Sequence, residues 1–149
     1  MVTIKTGDLL KAKETIIGHQ VNCLGGAAGL AADIFRKWPY AKKDYMDLVR
    51  RIPGKVLFGM AHFTGQQKDG HIICNLFGQF DAGADYNPQR LEQALEQLGN
   101  FARAAEYSVA LPYKLSCGIC GGNWDEVLGI IERTMEDVEC VIYRREGDE

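Results

Sequence analysis

The chain has 149 residues, 46% of them hydrophobic and 25% charged, with a formal net charge of −3. This is the size and balance of one ordinary domain with a real core, and it leaves no low-complexity tract, Pro- or Ser-rich linker or internal repeat from which a second domain would be built. The acidic balance argues against broad nucleic-acid binding, no apolar run approaches the roughly 20 residues of a membrane span, and Met1–Lys5 reads as a strand rather than a charged leader.

Five cysteines are an odd number at irregular spacing, and Cys23, Cys74 and Cys140 sit in or beside apolar runs, where a free thiol behaves as a small hydrophobe. A reduced, cytoplasmic protein is the expectation.

Taken in chain order, Val2–Lys5 is a short strand and Gly7-Asp8 opens a helical turn to Lys11. Thr15–Val21 is a buried strand rich in β-branched residues, leading into the small-residue stretch Asn22–Ala28. From Gly29 the period turns helical, with Leu30, Ile34, Phe35 and Trp38 on one stripe. Pro39 opens a second helix to Arg51, with Tyr45, Leu48 and Val49 inward and a basic outer face that reads as solvated surface. Lys55–Thr64 and His71–Gln79 are expected as strands joined by a hairpin loop, Gly65–Gly70. Phe80–Asn87 is a polar loop, and Pro88 starts a helix to about Glu106 with Leu91, Leu95, Leu98 and Ala102 inward. Ser108–Leu111 is a strand, Pro112–Gly122 a second glycine-rich loop, Asn123–Glu136 a helix and Val138–Tyr143 the last strand, followed by a charged, loose tail. Strands alternating with helices give an α/β layer architecture, and the hairpin makes its sheet mixed. Both glycine-rich loops follow a strand and precede a helix, so they can meet at the carboxyl ends of the strands, where α/β sheets bind ligands.

Each motif has an ordinary reading beside the functional one. Asn22-Cys23-Leu24-Gly25-Gly26-Ala27-Ala28-Gly29-Leu30 is either a plain strand-to-helix turn or a phosphate cradle of backbone N–H groups; it matches neither the dinucleotide fingerprint nor the Walker loop. Ser116-Cys117-Gly118-Ile119-Cys120-Gly121-Gly122-Asn123-Trp124 has the same character, with Asn123 as a helix cap and Trp124 as core. Two such loops in one small domain favour binding. Cys117 and Cys120 have no second Cys pair or His pair to complete a zinc set, so the sequence calls for no metal and no cofactor. His19, His62 and His71 fall in strands as core or edge histidines, and Asp8 caps its turn while facing the same edge as the loops.

Together these pieces resemble a macrodomain, the ADP-ribose-binding module. The anchors are Thr6-Gly7-Asp8-Leu9-Leu10, His19-Gln20-Val21-Asn22-Cys23, Asn75-Leu76-Phe77-Gly78-Gln79, and Ala110-Leu111-Pro112-Tyr113-Lys114 leading into the second loop. The resemblance spans nearly the whole chain and is nearest to the branch of terminal ADP-ribose–glutamate hydrolases and their bacterial and phage homologues. It implies a three-layer α/β/α fold with a mixed sheet of about six strands over residues 1–149. It implies adenine at Asp8, with Leu9 beside it among the ligand-binding residues, distal ribose at Asn22, and diphosphate and distal ribose held by backbone donors of Gly25, Gly26, Gly29 and Leu30 and of Ser116, Cys117, Gly118, Ile119, Cys120 and Gly121, with Tyr143 bordering the adenine. The partner implied is ADP-ribose or an ADP-ribosylated macromolecule.

Two departures stand out. The first loop is one residue short and places Ala where the branch has glycine, so it is expected to take another path, since Ala is strained at positive φ. In the second loop Ser116 replaces a glycine, the hydrolases' catalytic aspartate position falls on Cys120, and Asn75–Tyr86 contains no lysine, so the lysine–aspartate pair is absent. Asp81, Asp85, Lys114 and Cys120 are the remaining reactive residues in the relevant loops, and none is singled out as catalytic. Three functions fit: an ADP-ribose binder or ADP-ribosyl hydrolase, an ADP-ribose-1″-phosphate phosphatase, and a non-catalytic interaction domain.

Overall fold

A computed structural model describes residues 1–148. Strand β1 (Val2–Thr6) is followed by a 3-10 turn (Leu9–Lys11), β2 (Ile16–Asn22), α1 (Gly29–Lys37), α2 (Pro39–Arg51), a single helical turn α3 (Gly54–Leu57), β3 (Ala61–Phe63) and β4 (Ile72–Gln79). Then come α4 (Pro88–Ala105), β5 (Val109–Pro112), α5 (Trp124–Thr134) and β6 (Cys140–Arg144). The strands form one sheet in the order β1-β6-β5-β2-β4-β3. Every pairing is parallel except the β3–β4 hairpin, so the expected mixed sheet of six strands is present.

Alternation along the central strands sorts side chains to two faces. Ile16, Ile72, Cys74 and Leu76 pack with Leu91, Leu95, Leu98, Val127 and Ile131 of α4 and α5. Ile17, Ile73 and Phe77 pack with Ile34, Phe35 and Tyr45 of α1 and α2. This is the three-layer α/β/α arrangement; the inward residues expected for α4 are all buried, and so are Val127, Ile130, Ile131 and Met135 next to α4. The α4–α5 seam is closed: a Cβ at Gly99 would lie 2.0 Å from the Thr134 carbonyl oxygen.

The expected strand Lys55–Thr64 is corrected. Its first half winds into α3, because the Pro53 carbonyl accepts from Val56 and Leu57 N–H (2.9 and 3.2 Å) and Phe58 N–H returns to Gly54. The turn buries Leu57 completely, and Gly59, at φ 94°, then reverses the chain into the short edge strand. The tail is also not simply loose. β6 runs on to Arg144, and Asp148 N–H closes a turn onto the Arg145 carbonyl.

Candidate functional site

The carboxyl ends of β2, β4, β5 and β6 open into one crevice of 680 Å³, lined by both glycine-rich loops. The sheet order sets its long axis. At one end lie Asp8, Leu9, Leu10 and Tyr143, beside β1 and β6; at the other lie Gln20, Asn22 and Gln79, at the ends of β2 and β4.

The first loop is organised by one side chain. Asn22 Oδ1 accepts from the N–H groups of Leu24, Gly25 and Gly26 (2.9, 3.1 and 3.3 Å), and Nδ2 donates to the Gly26 carbonyl at 3.0 Å. The Tyr45 hydroxyl of α2 donates to the Asn22 carbonyl (2.8 Å) and accepts from Gly25 N–H (3.1 Å). Burial pushes the Tyr45 phenol up to about 12, so it keeps this proton at neutral pH. Positive φ falls on Gly25 (99°) and Gly29 (55°), while Ala28 is extended at φ −142°. The shortened loop therefore avoids strain at its alanines by giving both left-handed positions to glycines. It ends at α1 without any side-chain cap, leaving the N–H groups of the first helical turn open to the crevice.

The second loop is built from its own backbone. Cys117 N–H donates to the Lys114 carbonyl, Gly121 N–H to Gly118 and Gly122 N–H to Ser116. Lys114 and Ser116 are left-handed, at φ 57° and 66°. Asn123 accepts from Glu126 N–H (3.1 Å) and caps α5 as expected. Among the described residues, the N–H groups of Gly118, Ile119 and Cys120 donate to no protein acceptor. Ile119, at the loop tip, is 84% exposed.

The expected ligand residues divide by position. Asp8, Leu9, Asn22, Gly26, Gly29 and Leu30 line the crevice from one side, and Ser116, Gly118, Ile119 and Cys120 from the other. Gly25, Cys117 and Gly121 lie behind the lining: Gly25 faces Val49 and Met46 of α2, and Gly121 faces Ala84. Asp8 Oδ1 accepts from Leu10 N–H at 2.9 Å, the expected cap. Tyr143 is buried in the wall, its hydroxyl donating to Glu14 at 2.6 Å. Trp124 packs edge-on against Tyr113 rather than in the crevice.

The reactive candidates fare differently from one another. Asp85 accepts from Phe80 and Asp81 N–H (2.9 and 2.8 Å) and Asp81 from Ala82 N–H, so both carboxylates are tied into their own loop and neither lines the crevice. Lys114 does line it, with its ammonium 5.6 Å from the Tyr113 ring centroid. Ser116 Oγ lies 3.5 Å from Cys120 Sγ. Burial, reinforced by Cys120 and opposed by Lys114, pushes the Cys117 thiol up to about 11, so it is protonated at neutral pH.

Several lining residues were not singled out from the sequence: Gln20, Gln79, Asp33, Tyr113, Arg145 and Asp148. The two glutamines carried a readable signal. Each is a polar residue near the carboxyl end of a largely apolar strand, where an α/β sheet meets its ligand. Arg145 and Asp148 carried none, because nothing in a charged tail indicates where it returns.

No family model matches the chain. It is similar to the ADP-ribose 1''-phosphate phosphatase of Saccharomyces cerevisiae (strain YJM789), 22% identical over 174 residues, covering 96% of this chain and 98% of that protein. Its fold superposes on the macrodomain of Mycobacterium tuberculosis DarG with a TM-score of 0.82 at 29% identity, over 96% of this chain and 97% of that one. It also superposes on Thermosipho africanus DarTG, solved in complex with ADP-ribose, with a TM-score of 0.81 at 18% identity, over 95% of this chain and 41% of that one. The fold of this chain is therefore the macrodomain fold.

Proposed function

We propose that the crevice binds ADP-ribose, free or as an ADP-ribosyl group on a macromolecule. One observation carries this reading: two sets of unpartnered backbone N–H groups, at the uncapped start of α1 and at Gly118–Cys120, line the same crevice. Aligned amides at a helix N-terminus and in a loop favour an anion of diphosphate size, and they let a protein of net charge −3 do so without a basic patch. The volume lies within the range of about 300–1,000 Å³ usual for small-molecule sites. Asp8 spends one carboxylate oxygen on its cap and keeps the other for the adenine amino group, with Tyr143 as the side wall. The distal ribose then falls toward Asn22, and the solved complex of the Thermosipho africanus relative with ADP-ribose supports the ligand's identity.

The yeast relative favours a second reading, hydrolysis of ADP-ribose-1″-phosphate at the same site. The distal end of the crevice offers carboxamides, from Gln20, Asn22 and Gln79. Such groups orient a sugar and supply no base, so a hydrolytic reaction here relies on positioning, with the ligand's own phosphate holding the water. The five free thiols suit a reducing compartment, and we place the protein in the cytoplasm.

Isothermal titration calorimetry and thermal shift with ADP-ribose test the binding reading. Saturable heat and a rise in Tm are expected; no heat and no shift at millimolar ligand overturn it. Phosphate release from ADP-ribose-1″-phosphate decides the second reading.

A further inference from the structure

Among the described residues, Gln20 Oε1 is buried with no hydrogen-bond partner, although its side chain lines the crevice. A buried acceptor left unpaired forfeits its hydration without replacing it, so an empty crevice holds this carboxamide at a loss. The fold nonetheless makes room for it. The carboxamide rests on Gly78 of β4, where a Cβ would lie 2.7 Å from Oε1 and 3.0 Å from Leu91. Any side chain at that position would displace the amide, so Gly78 and Gln20 together form a built cradle. Its place is fixed by topology: Gln20 lies on β2, next to β4 and two residues before Asn22, at the end of the crevice opposite Asp8 and Tyr143.

We propose that Gln20 is the residue that selects the distal sugar, its carboxamide taking the vicinal hydroxyls of the terminal ribose. The inference rests on the ADP-ribose reading, which sets adenine at the Asp8 end and leaves the far sugar at this one. A primary carboxamide presents a donor and an acceptor side by side, and a cis-diol presents the same pair in reverse. The last torsion of a glutamine is soft and broad, so a partial turn brings Oε1 from its cradle to the sugar. The hydrogen bond missing in the empty protein is then made by the ligand.

The test separates the two ends of the ligand. ADP lacks the distal ribose and ADP-ribose carries it, and both are titrated into the wild type, Gln20→Met and Gln20→Asn. Methionine keeps the length and removes the unpaired acceptor; asparagine keeps the amide but falls short of the sugar. Both variants are expected to bind ADP-ribose about tenfold more weakly and ADP within about twofold of the wild type. Gln20→Met is also expected to have a higher Tm than the wild type without ligand, since it no longer buries an unpaired oxygen. Unchanged ADP-ribose affinity, an equal loss for both ligands, or a lower Tm with binding intact overturns the proposal. A wild type that binds neither ligand instead overturns the reading beneath it.

Discussion

The two glycine-rich loops look alike in sequence and are held in opposite ways. The first hangs on a keystone: three consecutive N–H groups converge on Asn22 Oδ1, and Tyr45 locks the same residue from behind. The second is a run of backbone turns that passes through two left-handed non-glycine residues and ends on a capped helix. The difference extends to what each offers a ligand. The first gives the open end of a helix; the second closes its helix with Asn123 and offers loop amides instead. A loop held by one side chain is vulnerable at that side chain, whereas a loop held by its backbone is vulnerable nowhere in particular.

The largest expected effect breaks the keystone. Asn22→Ala should lower stability by about 3 kcal/mol in urea denaturation, because several buried or half-buried groups lose their partner together, and ADP-ribose binding should go with it. An equal loss from any single side-chain truncation in the second loop would end the contrast.

Acid should act on the first loop's support. His19 lies on β2, three residues before Asn22, with Nε2 2.7 Å from Asn75 Oδ1 and its ring edge-on to Phe35 of α1. Burial pushes its pKa down from 6.5 to about 4, against the opposing bond to Asn75. Between these values the unfolded chain binds the proton and the folded chain does not, so stability is full above about pH 6.5 and falls as the pH drops toward 4. The loss attributable to this group is about 3 kcal/mol. Denaturation midpoints measured across that range should show it, and His19→Gln should flatten the curve.

Helix capping sharpens the comparison at a smaller scale. Ala28→Asp places a side-chain acceptor at the extended residue before α1 and should stabilise the protein by about 1 kcal/mol. By filling the open N–H groups it should weaken ADP-ribose binding about tenfold. Asn123→Ala removes the cap of α5 and should cost about 1 kcal/mol with affinity unchanged. If capping α1 leaves affinity intact, the two helices do not differ in the way described.

The smallest effect is expected at Ser116, left-handed at φ 66°. Ser116→Gly relieves that conformation, partly offset by the freer unfolded chain, and should raise stability by about 0.5 kcal/mol. A fall in the urea midpoint would mean that Ser116 earns its place through its hydroxyl near Cys120.

What was legible in the sequence was periodic. Leu91, Leu95, Leu98 and Ala102, or Val127, Ile130 and Ile131, announce one buried face of a helix, and each is buried. A single helical turn has no period to display, and Lys55-Val56-Leu57-Phe58 reads as a strand until the Pro53 carbonyl is seen to accept from two following amides. The crevice was legible as far as backbone motifs mark it. The glutamines were visible as residues, but their role needs β2 and β4 side by side, which only the assembled sheet supplies. The first loop's alanines signalled that positive φ must fall on other residues, yet which glycines would take the left-handed turns depends on Asn22 gathering the loop around itself.

The closed seam at Gly99 has a mechanical consequence. The second loop stands directly before α5, and α5 ends where Thr134 meets the bare backbone of α4. The helix pair is therefore a clamped strut with no slack, and the loop at its far end inherits that stiffness. A methyl group added at Gly99 would act as a shim, levering α5 off α4 and carrying one wall of the crevice with it.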